Sequence, residues 1–169
     1  CVRCEAIYSG EFTIKVATTE ENVIDNYLSS DDVINVYISG IDSRGGINEV
    51  SRSDVNIIMS VNKKTHNILM INTPRDYYVP LSISNGVRDK LTHAGVYGIE
   101  CSRNTLEMLY GIQIDYYVKV NFSGFEKIID SLGGVDVTLD YSATLSQAGN
   151  LTVHNGVNHF NGEQALAFA

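Results

Sequence analysis

Runs of apolar residues predict that the first half of the chain is built from strands. Residues 33–38 read Val-Ile-Asn-Val-Tyr-Ile, a β-branched and aromatic run that Gly40 interrupts, so we expect a buried strand that ends in a loop. Residues 55–61 and 68–71 predict two further strands. The polar residues 62–67 between them predict a hairpin.

The second half combines strands with the spacing of an amphipathic helix. Residues 115–120 predict a strand, and apolar residues within 122–132 recur at intervals of three and four. We expect a helix there that packs on the sheet, with Asn121 or Ser123 as its N-cap. Residues 135–139 supply another strand. Strand, helix and strand in this order predict a βαβ-like unit, and hence a mixed sheet with helices on both faces.

The remaining segments are expected to be shorter. Residues 11–17 alternate as a half-buried strand does, and a short helix is expected to follow. Because residues 1–30 hold few large apolar side chains, we predict that they are a linker or the tail of a preceding segment, with a boundary near residue 31. Further expectations are an irregular extended segment over 77–83 and a helix over 104–109 that Gly111 ends. We also expect a largely irregular stretch over 140–158 with at most one short strand, and an incomplete helix over 161–169.

Composition indicates one globular domain of acidic character. The 169 residues are 44% hydrophobic and 19% charged, which is typical of a chain that buries a core. A net charge of −8 argues against nucleic acid as a partner, since such binding needs a basic surface. No apolar run reaches the length of a membrane span.

Carboxylates and guanidinium groups gather where the predicted strands end. Asp42 and Arg44 follow the first strand. Arg52 and Asp54 come before the second, and Arg75 follows the third. Converging carboxylates suit a hard cation such as Mg²⁺, and arginine forks suit phosphate oxygens. The pattern is typical of phosphoryl or pyrophosphate chemistry, although ordinary salt bridges at loop ends explain it equally well.

The cysteines and histidines predict no metal site. Cys1 and Cys4 have C-x-x-C spacing without a second such pair, which leaves a disulfide and a frayed end as open alternatives. We expect Cys101 to be a partly buried structural thiol. His93 is expected to be a hydrogen-bonded structural group, and Lys90, taken without context, a surface lysine.

Seven segments in a fixed order resemble the LytR-CpsA-Psr family, from about Ile34 to the C-terminus. They are GIDSR at 40–44, SRSD at 51–54, TPRD at 73–76, DKLTHAGVYG at 89–98, IDYYVKVNFSGF at 114–125, IDSLGGVDV at 129–137 and NGEQALAFA at 161–169. The resemblance implies an α/β fold of the αβα type, whose mixed sheet encloses a hydrophobic tunnel for a prenyl chain. The apolar faces of the strands over 55–61 and 68–71 and of the 122–132 helix are candidates for the tunnel wall. Packing in an ordinary hydrophobic core explains these apolar faces equally well.

The resemblance also implies an activity. Members of the family are extracytoplasmic and membrane-anchored. They move a glycosyl-phosphate polymer, of the teichoic acid or capsular polysaccharide type, from a polyprenyl-pyrophosphate carrier to the 6-hydroxyl of peptidoglycan N-acetylmuramic acid. The implied cofactor is Mg²⁺ or Mn²⁺. The alternatives are a polyprenyl-pyrophosphate pyrophosphatase, a module that only binds lipid or cell-wall sugar and, least favoured, a transcriptional regulator.

The resemblance assigns roles to individual residues. The implied metal ligands are Asp42 and Asp54, the implied pyrophosphate contacts are Arg44, Arg52, Arg75, Lys90 and Gln164, and Asp76 lies near the head group. Asp42, Asp54 and Arg75 are the implied catalytic residues. The family continues with an Arg-x-Arg pair that this chain does not reach. We therefore expect the C-terminal part of the family domain to be missing, and the fragment alone to be weakly active or inactive.

Overall fold

The computed structural model describes residues 14–15, 31–43, 50–146 and 149–169. The chain divides into two compact units, one of residues 1–42 and 46–119 and one of residues 43–45 and 120–169. Predictions for Cys1, Cys4, Arg44 and the helix before residue 31 lie outside the described residues. The boundary near residue 31 stays a prediction.

A five-stranded mixed sheet forms the first unit, with the strand order β1-β4-β3-β2-β7. Its strands are β1 (Ile14–Lys15), β2 (Val33–Ile41), β3 (Ser53–Asn62), β4 (Ile68–Asn72) and β7 (Tyr116–Val120). β1 runs parallel to β4, whereas β2, β3 and β4 pair antiparallel. The three strands of the first half and the hairpin between β3 and β4 are thus confirmed.

Helical segments and a small strand pair complete the first unit. They are β5 (Tyr78–Pro80) and β6 (Arg88–Lys90), which pair antiparallel, α1 (Leu91–Ala94), a 3₁₀ turn (Gly95–Tyr97) and α2 (Ile99–Tyr110). β5 lies within the stretch expected to be irregular. α2 begins earlier than expected, at Ile99, and Glu100 in its first turn is favourable beside the helix dipole. Gly111 ends it with φ 66°, as its sequence position predicts.

The core of the first unit lies between the sheet and these helices. Residues of β2 alternate between buried and half-buried, because one face of the strand packs into this core. Tyr37, Ile58, Leu91 and Leu106 are completely buried there. Cys101 is a free thiol that is buried, and not only partly buried as expected. Within the described ranges, no helix is long and apolar enough to cross a membrane.

A buried polar cluster ties β2 to the start of β3. The Tyr37 hydroxyl donates to Asn56 Oδ1 at 2.7 Å and lies 3.1 Å from Ser53 Oγ. Ser53 Oγ also lies 2.8 Å from Ser39 Oγ. Burial raises the pKa of Tyr37, so its hydroxyl stays protonated and can donate. The cluster fixes the backbone immediately before Asp54.

The second unit contains two helices and two strand pairs. They are α3 (Phe122–Ser131), β8 (Val135–Leu139), β9 (Ala143–Leu145), β10 (Leu151–Val153), β11 (Gly156–Phe160) and α4 (Gly162–Phe168). α3 starts at the expected cap, where Asn121 Oδ1 accepts from the Gly124 N–H at 2.9 Å. Val153, Phe160 and Ala165 form the centre of its core.

Two expectations for this unit are wrong. β8 pairs antiparallel with β11, and the strand before α3, β7, belongs to the five-stranded sheet, so strand, helix and strand do not form a βαβ unit. Residues 140–158 are not largely irregular, since they hold β9, β10 and part of β11. β9 and β10 have three residues each, which is too short for apolar alternation to stand out from loop sequence.

We expect Tyr37→Phe to lower the free energy of unfolding by about 0.5–1.5 kcal/mol, because it removes the hydrogen bond to Asn56 and the contact with Ser53, although both residues keep other partners. Urea unfolding of the variant and the parent protein measures the difference. Tyr97→Phe is the matched control, since Tyr97 is 61% exposed. Equal midpoints for Tyr37→Phe and the parent protein would show that the cluster does not stabilise the sheet.

Candidate active site

The site residues of the first unit lie where β2, β3 and β4 end or begin. Asp42 follows β2, Asp54 is the second residue of β3, and Arg75 lies in the turn after β4. The Asp42 N–H donates to the Arg52 carbonyl at 3.4 Å, and Ser51 Oγ donates to the Asp42 carbonyl at 2.8 Å. These bonds hold both ends of the loop between β2 and β3.

Two glycines allow the backbone to close around this loop. At Gly40, a Cβ would lie 2.9 Å from Val55 Cβ, and the register of β2 against β3 shifts directly after it. At Gly95, a Cβ would lie 2.6 Å from the Ser51 carbonyl oxygen and 2.7 Å from the Ser53 nitrogen. Because backbone cannot yield as a side chain does, the turn after α1 needs glycine to support the loop.

Four side chains form a row of alternating charge, which we call the charge row: Asp54, Arg75, Asp76 and Lys90. Arg75 Nη1 lies 2.9 Å from Asp54 Oδ1, and Arg75 Nε lies 3.9 Å from Asp76 Oδ2. Lys90 Nζ donates to Asp76 Oδ1 at 2.7 Å. The hydrogen bond from Lys90 lowers the pKa of Asp76. Both cations are about half exposed, so solvent and ligands can reach them.

Thr92 connects the charge row to α1, and sequence reasoning missed it. Its side chain is buried, and Oγ1 donates to Asp54 Oδ1 at 3.2 Å. Its backbone N–H donates to the Arg75 carbonyl at 2.8 Å. One residue therefore fixes both partners of the Asp54–Arg75 ion pair. The sequence feature that could have identified Thr92 was its place in the DKLTHAGVYG segment, two residues after Lys90 and directly before His93.

Asp89 and His93 form a second pair beside the charge row. His93 Nδ1 lies 2.8 Å from Asp89 Oδ1, which confirms that this histidine is hydrogen-bonded. The Lys90 N–H donates to the same oxygen at 2.7 Å. This backbone bond, followed by the bond to His93, lowers the pKa of Asp89. Sequence reasoning gave Asp89 no role.

Among the described contacts, none of the other predicted site residues bonds to a side chain of the charge row. Asp42 and Arg52 are exposed, and Arg44 lies outside the described residues. Gln164 belongs to the second unit, where its Oε1 accepts from the Asn161 N–H at 3.1 Å in the capping box of α4. Roles for Arg44, Arg52 and Gln164 at a pyrophosphate stay predictions.

The carboxylates of the site meet some of the requirements for binding a hard cation such as Mg²⁺. In the described part of the chain, no group of three or more His, Cys, Asp or Glu residues is placed to hold a metal ion. Both contacts to Asp54 from other described residues use Oδ1, which leaves Oδ2 available, and the Asp42 carboxylate is exposed. Mg²⁺ commonly binds through one or two carboxylates and completes its shell with water and phosphate oxygens. The metal site stays a prediction.

A separate pocket of about 590 Å³ lies at the other end of β2, and none of the predicted site residues line it. Its lining includes Val33, Asn35, Lys63 and Asp115. The chemistry-bearing side chains are thus not in this pocket. The half-exposed cations of the charge row suit an anion that approaches from solvent.

Comparison of the sequence with known proteins finds a matching family model and teichoic acid transferases among the relatives. The family model described as the LytR_cpsA_psr family matches residues 6–169. The chain is 33% identical over 171 residues to the polyisoprenyl-teichoic acid–peptidoglycan teichoic acid transferase TagT of Bacillus subtilis, covering 95% of this chain and 52% of the relative. It is 34% identical over 142 residues to the transferase TagU of Bacillus cereus, covering 83% and 45%. The chain spans about half the length of these curated relatives.

Solved structures agree with the fold. TagV of Bacillus subtilis superposes with a TM-score of 0.73 at 29% identity, covering 83% of this chain and 56% of TagV. TagT with bound octaprenyl pyrophosphate gives a TM-score of 0.71 at 33% identity, covering 82% and 56%. The α/β class with a mixed central sheet is confirmed. A family match over nearly the whole chain, together with this shared fold, shows that the chain belongs to the LytR-CpsA-Psr family.

Proposed function

We propose that this chain carries the diphosphate-binding part of a phosphotransferase that attaches a glycopolymer to peptidoglycan. The enzyme would move a glycosyl-phosphate polymer of the teichoic acid or capsular polysaccharide type from a polyprenyl-pyrophosphate carrier to the N-acetylmuramic acid 6-hydroxyl. The observation that carries the proposal is the charge row, which presents two half-exposed cations at the strand ends of an acidic chain.

The comparisons support this substrate class. The curated relatives TagT and TagU are named as teichoic acid transferases that act between a polyisoprenyl-linked polymer and peptidoglycan. TagT has been solved with octaprenyl pyrophosphate and, separately, with a ligand called LI-WTA. Because peptidoglycan lies outside the cytoplasmic membrane, we propose an extracytoplasmic location and a membrane anchor in the complete protein.

Arg75 is the main phosphate contact in this proposal. A guanidinium group has five N–H donors, and the ion pair with Asp54 engages only one side of it. The remaining donors can bind diphosphate oxygens while Asp54 keeps the group in place. Lys90 lies on the other side of Asp76 from Arg75, and its flexible ammonium group can bind a further diphosphate oxygen there. Both cations then stabilise the charge that develops as the phosphoryl group moves.

Asp42 and Asp54 are the groups that would hold Mg²⁺ or Mn²⁺ beside these cations. When bound, such a cation supplies neutralising charge to the diphosphate oxygens. Asp54 is held for this task by Arg75 and Thr92 at Oδ1, so that Oδ2 keeps a fixed direction. The exposed Asp42 would need to turn toward the diphosphate.

The prenyl tunnel remains part of the proposal. Ile58 of β3 and Leu69 of β4 lie in the closed core of the first unit. These side chains therefore act as core, and a tunnel would need other apolar side chains of the sheet. Half-buried residues on the opposite strand face, such as Val36 and Ile57, are the candidates that the described residues offer.

We expect Arg75→Ala to reduce transfer at least 100-fold, because it removes a fork of donors aimed at the reacting phosphate. The measurement is transfer of a labelled glycosyl phosphate from a polyprenyl-pyrophosphate donor to peptidoglycan oligomers by the full-length protein. Arg103→Ala is the matched control, since Arg103 pairs with Glu100 on α2, outside the charge row. Phosphate release without acceptor would instead indicate a pyrophosphatase, and unchanged transfer by Arg75→Ala would contradict the assigned role.

Removal of divalent cations with EDTA is expected to abolish transfer, and added Mg²⁺ to restore it. Asp54→Asn should raise the Mg²⁺ concentration needed for half-maximal transfer at least tenfold, because an amide is a weaker ligand than a carboxylate. Asp140→Asn, on an exposed residue of the second unit, should respond as the parent protein does. Full activity in EDTA would rule out the metal.

Thr92→Val should lower kcat about 10-fold with little effect on KM, because it removes a supporting hydrogen bond to Asp54 without changing the shape of the side chain. Thr92→Ser keeps the hydroxyl and should retain most of the activity. Steady-state kinetics of both variants make the comparison. Equal losses in the two variants would indicate a packing role for Thr92 instead.

A further inference from the structure

We propose that His93, oriented by Asp89, accepts the proton of the attacking hydroxyl in the transfer reaction. The inference rests on the proposed function and adds to it the proton acceptor. It follows from the way in which hydrogen bonds and ion pairs are distributed around α1 among the described residues.

The carboxylates of the charge row are poorly suited to take a proton. Asp54 Oδ1 already accepts from Thr92 and faces Arg75 at 2.9 Å. Asp76 Oδ1 is paired with Lys90 Nζ at 2.7 Å, and Asp76 Oδ2 lies 3.9 Å from Arg75 Nε. Lys90 lowers the pKa of Asp76, and a carboxyl group with a lowered pKa is a weaker base. These groups position cations, which leaves the proton to another residue.

The Asp89–His93 pair has the geometry of an oriented general base. An ionised carboxylate only accepts hydrogen bonds, so the 2.8 Å contact requires His93 Nδ1 to be the donor. In the neutral ring this places the lone pair on Nε2, which forms no hydrogen bond or ion pair with another described residue. The backbone N–H of Lys90 holds Asp89 at 2.7 Å, so the carboxylate has a fixed place from which to orient the ring.

His93 lies beside the proposed diphosphate contacts and within reach of solvent. It follows Thr92, the residue that donates to Asp54, and its side chain is 36% exposed. Its charged partner is Asp89 of β6, and the next residue of that strand, Lys90, pairs with Asp76 of the turn after β4, which faces Arg75. Lys90 links the two carboxylates, since its backbone N–H donates to Asp89 Oδ1 at 2.7 Å and its Nζ donates to Asp76 Oδ1 at 2.7 Å.

The chemical step balances without a further reactant. The hydroxyl oxygen forms a bond to the phosphorus of the glycosyl phosphate, and its proton passes to His93 Nε2. The bond from that phosphorus to the bridging oxygen breaks, and the oxygen keeps the electron pair as part of the prenyl phosphate. The imidazolium then loses its proton to solvent or to the departing phosphate.

The test is the pH dependence of kcat for the full-length protein and for His93→Gln. The parent protein should lose activity on the acid side, because a base that already holds a proton cannot accept the proton of the hydroxyl. His93→Gln should lower kcat about 10²–10⁴-fold and abolish the loss of activity at low pH. Binding of octaprenyl pyrophosphate should change less than threefold, which distinguishes a lost base from a lost fold. Asp89→Asn should show a smaller loss of kcat.

The chain offers a matched control in its second unit. His159 Nδ1 lies 2.7 Å from Asp136 Oδ1, in an exposed pair of the same kind, so His159→Gln should leave transfer and its pH profile unchanged. Added imidazole should restore part of the activity of His93→Ala. If the wild-type protein shows no transfer, both the proposed function and the proposed proton acceptor are wrong. If His93→Gln transfers normally and still loses activity at low pH, or if imidazole does not rescue His93→Ala, only the role of His93 as proton acceptor is wrong.

Discussion

The ion pair between Arg75 and Asp54 is the interaction on which the candidate site depends. It joins the turn after β4 to the start of β3, and Thr92 reinforces it from α1 through one side-chain and one backbone hydrogen bond. A half-exposed pair of this kind adds little to stability. Its value is geometric, because it fixes the direction of a guanidinium fork before any ligand arrives, and so reduces the entropy lost on binding.

The supports of this pair are mainly packing and backbone constraints. The buried Tyr37 cluster fixes the strand before Asp54, and the close approach at Gly95 places the turn after α1 against the same loop. The charged side chains thus stand on a rigid frame, while their outer ends remain in solvent. A site organised in this way combines precise donors with easy access, as the proposed polymeric substrate would require.

Much of the fold could be predicted from local sequence, because its strands and helices are long enough to show their period. β2, β3, β4 and α3 fall close to their expected positions, and the Asn121 cap and the stop at Gly111 follow from side-chain chemistry. The pairing of β8 with β11 could not be predicted, since pairing partners depend on contacts that are distant in sequence. Three-residue strands such as β9 carry too little pattern to detect.

The site could be predicted only in its charged members. Arginines and aspartates at strand ends stand out in an apolar context, and Arg75, Asp54 and Asp76 do come together. Lys90 joins them, but the residues alone predicted a surface lysine, and only the family resemblance placed it near the head group. Thr92 and Asp89 were missed because a threonine or an aspartate next to a short helix is ordinary in sequence. Their importance lies in what they contact, namely the Asp54 carboxylate and the His93 ring.

The charge row holds two carboxylates and two cations on a chain whose net charge is −8, and this determines how an anionic substrate first meets the protein. At a distance the chain repels an anion, and at physiological salt any attraction is screened beyond about 8 Å. The cations therefore act after encounter and do not steer it. In the proposed reaction, delivery of the head group to the charge row would then rest on diffusion of its lipid carrier within the plane of the bilayer.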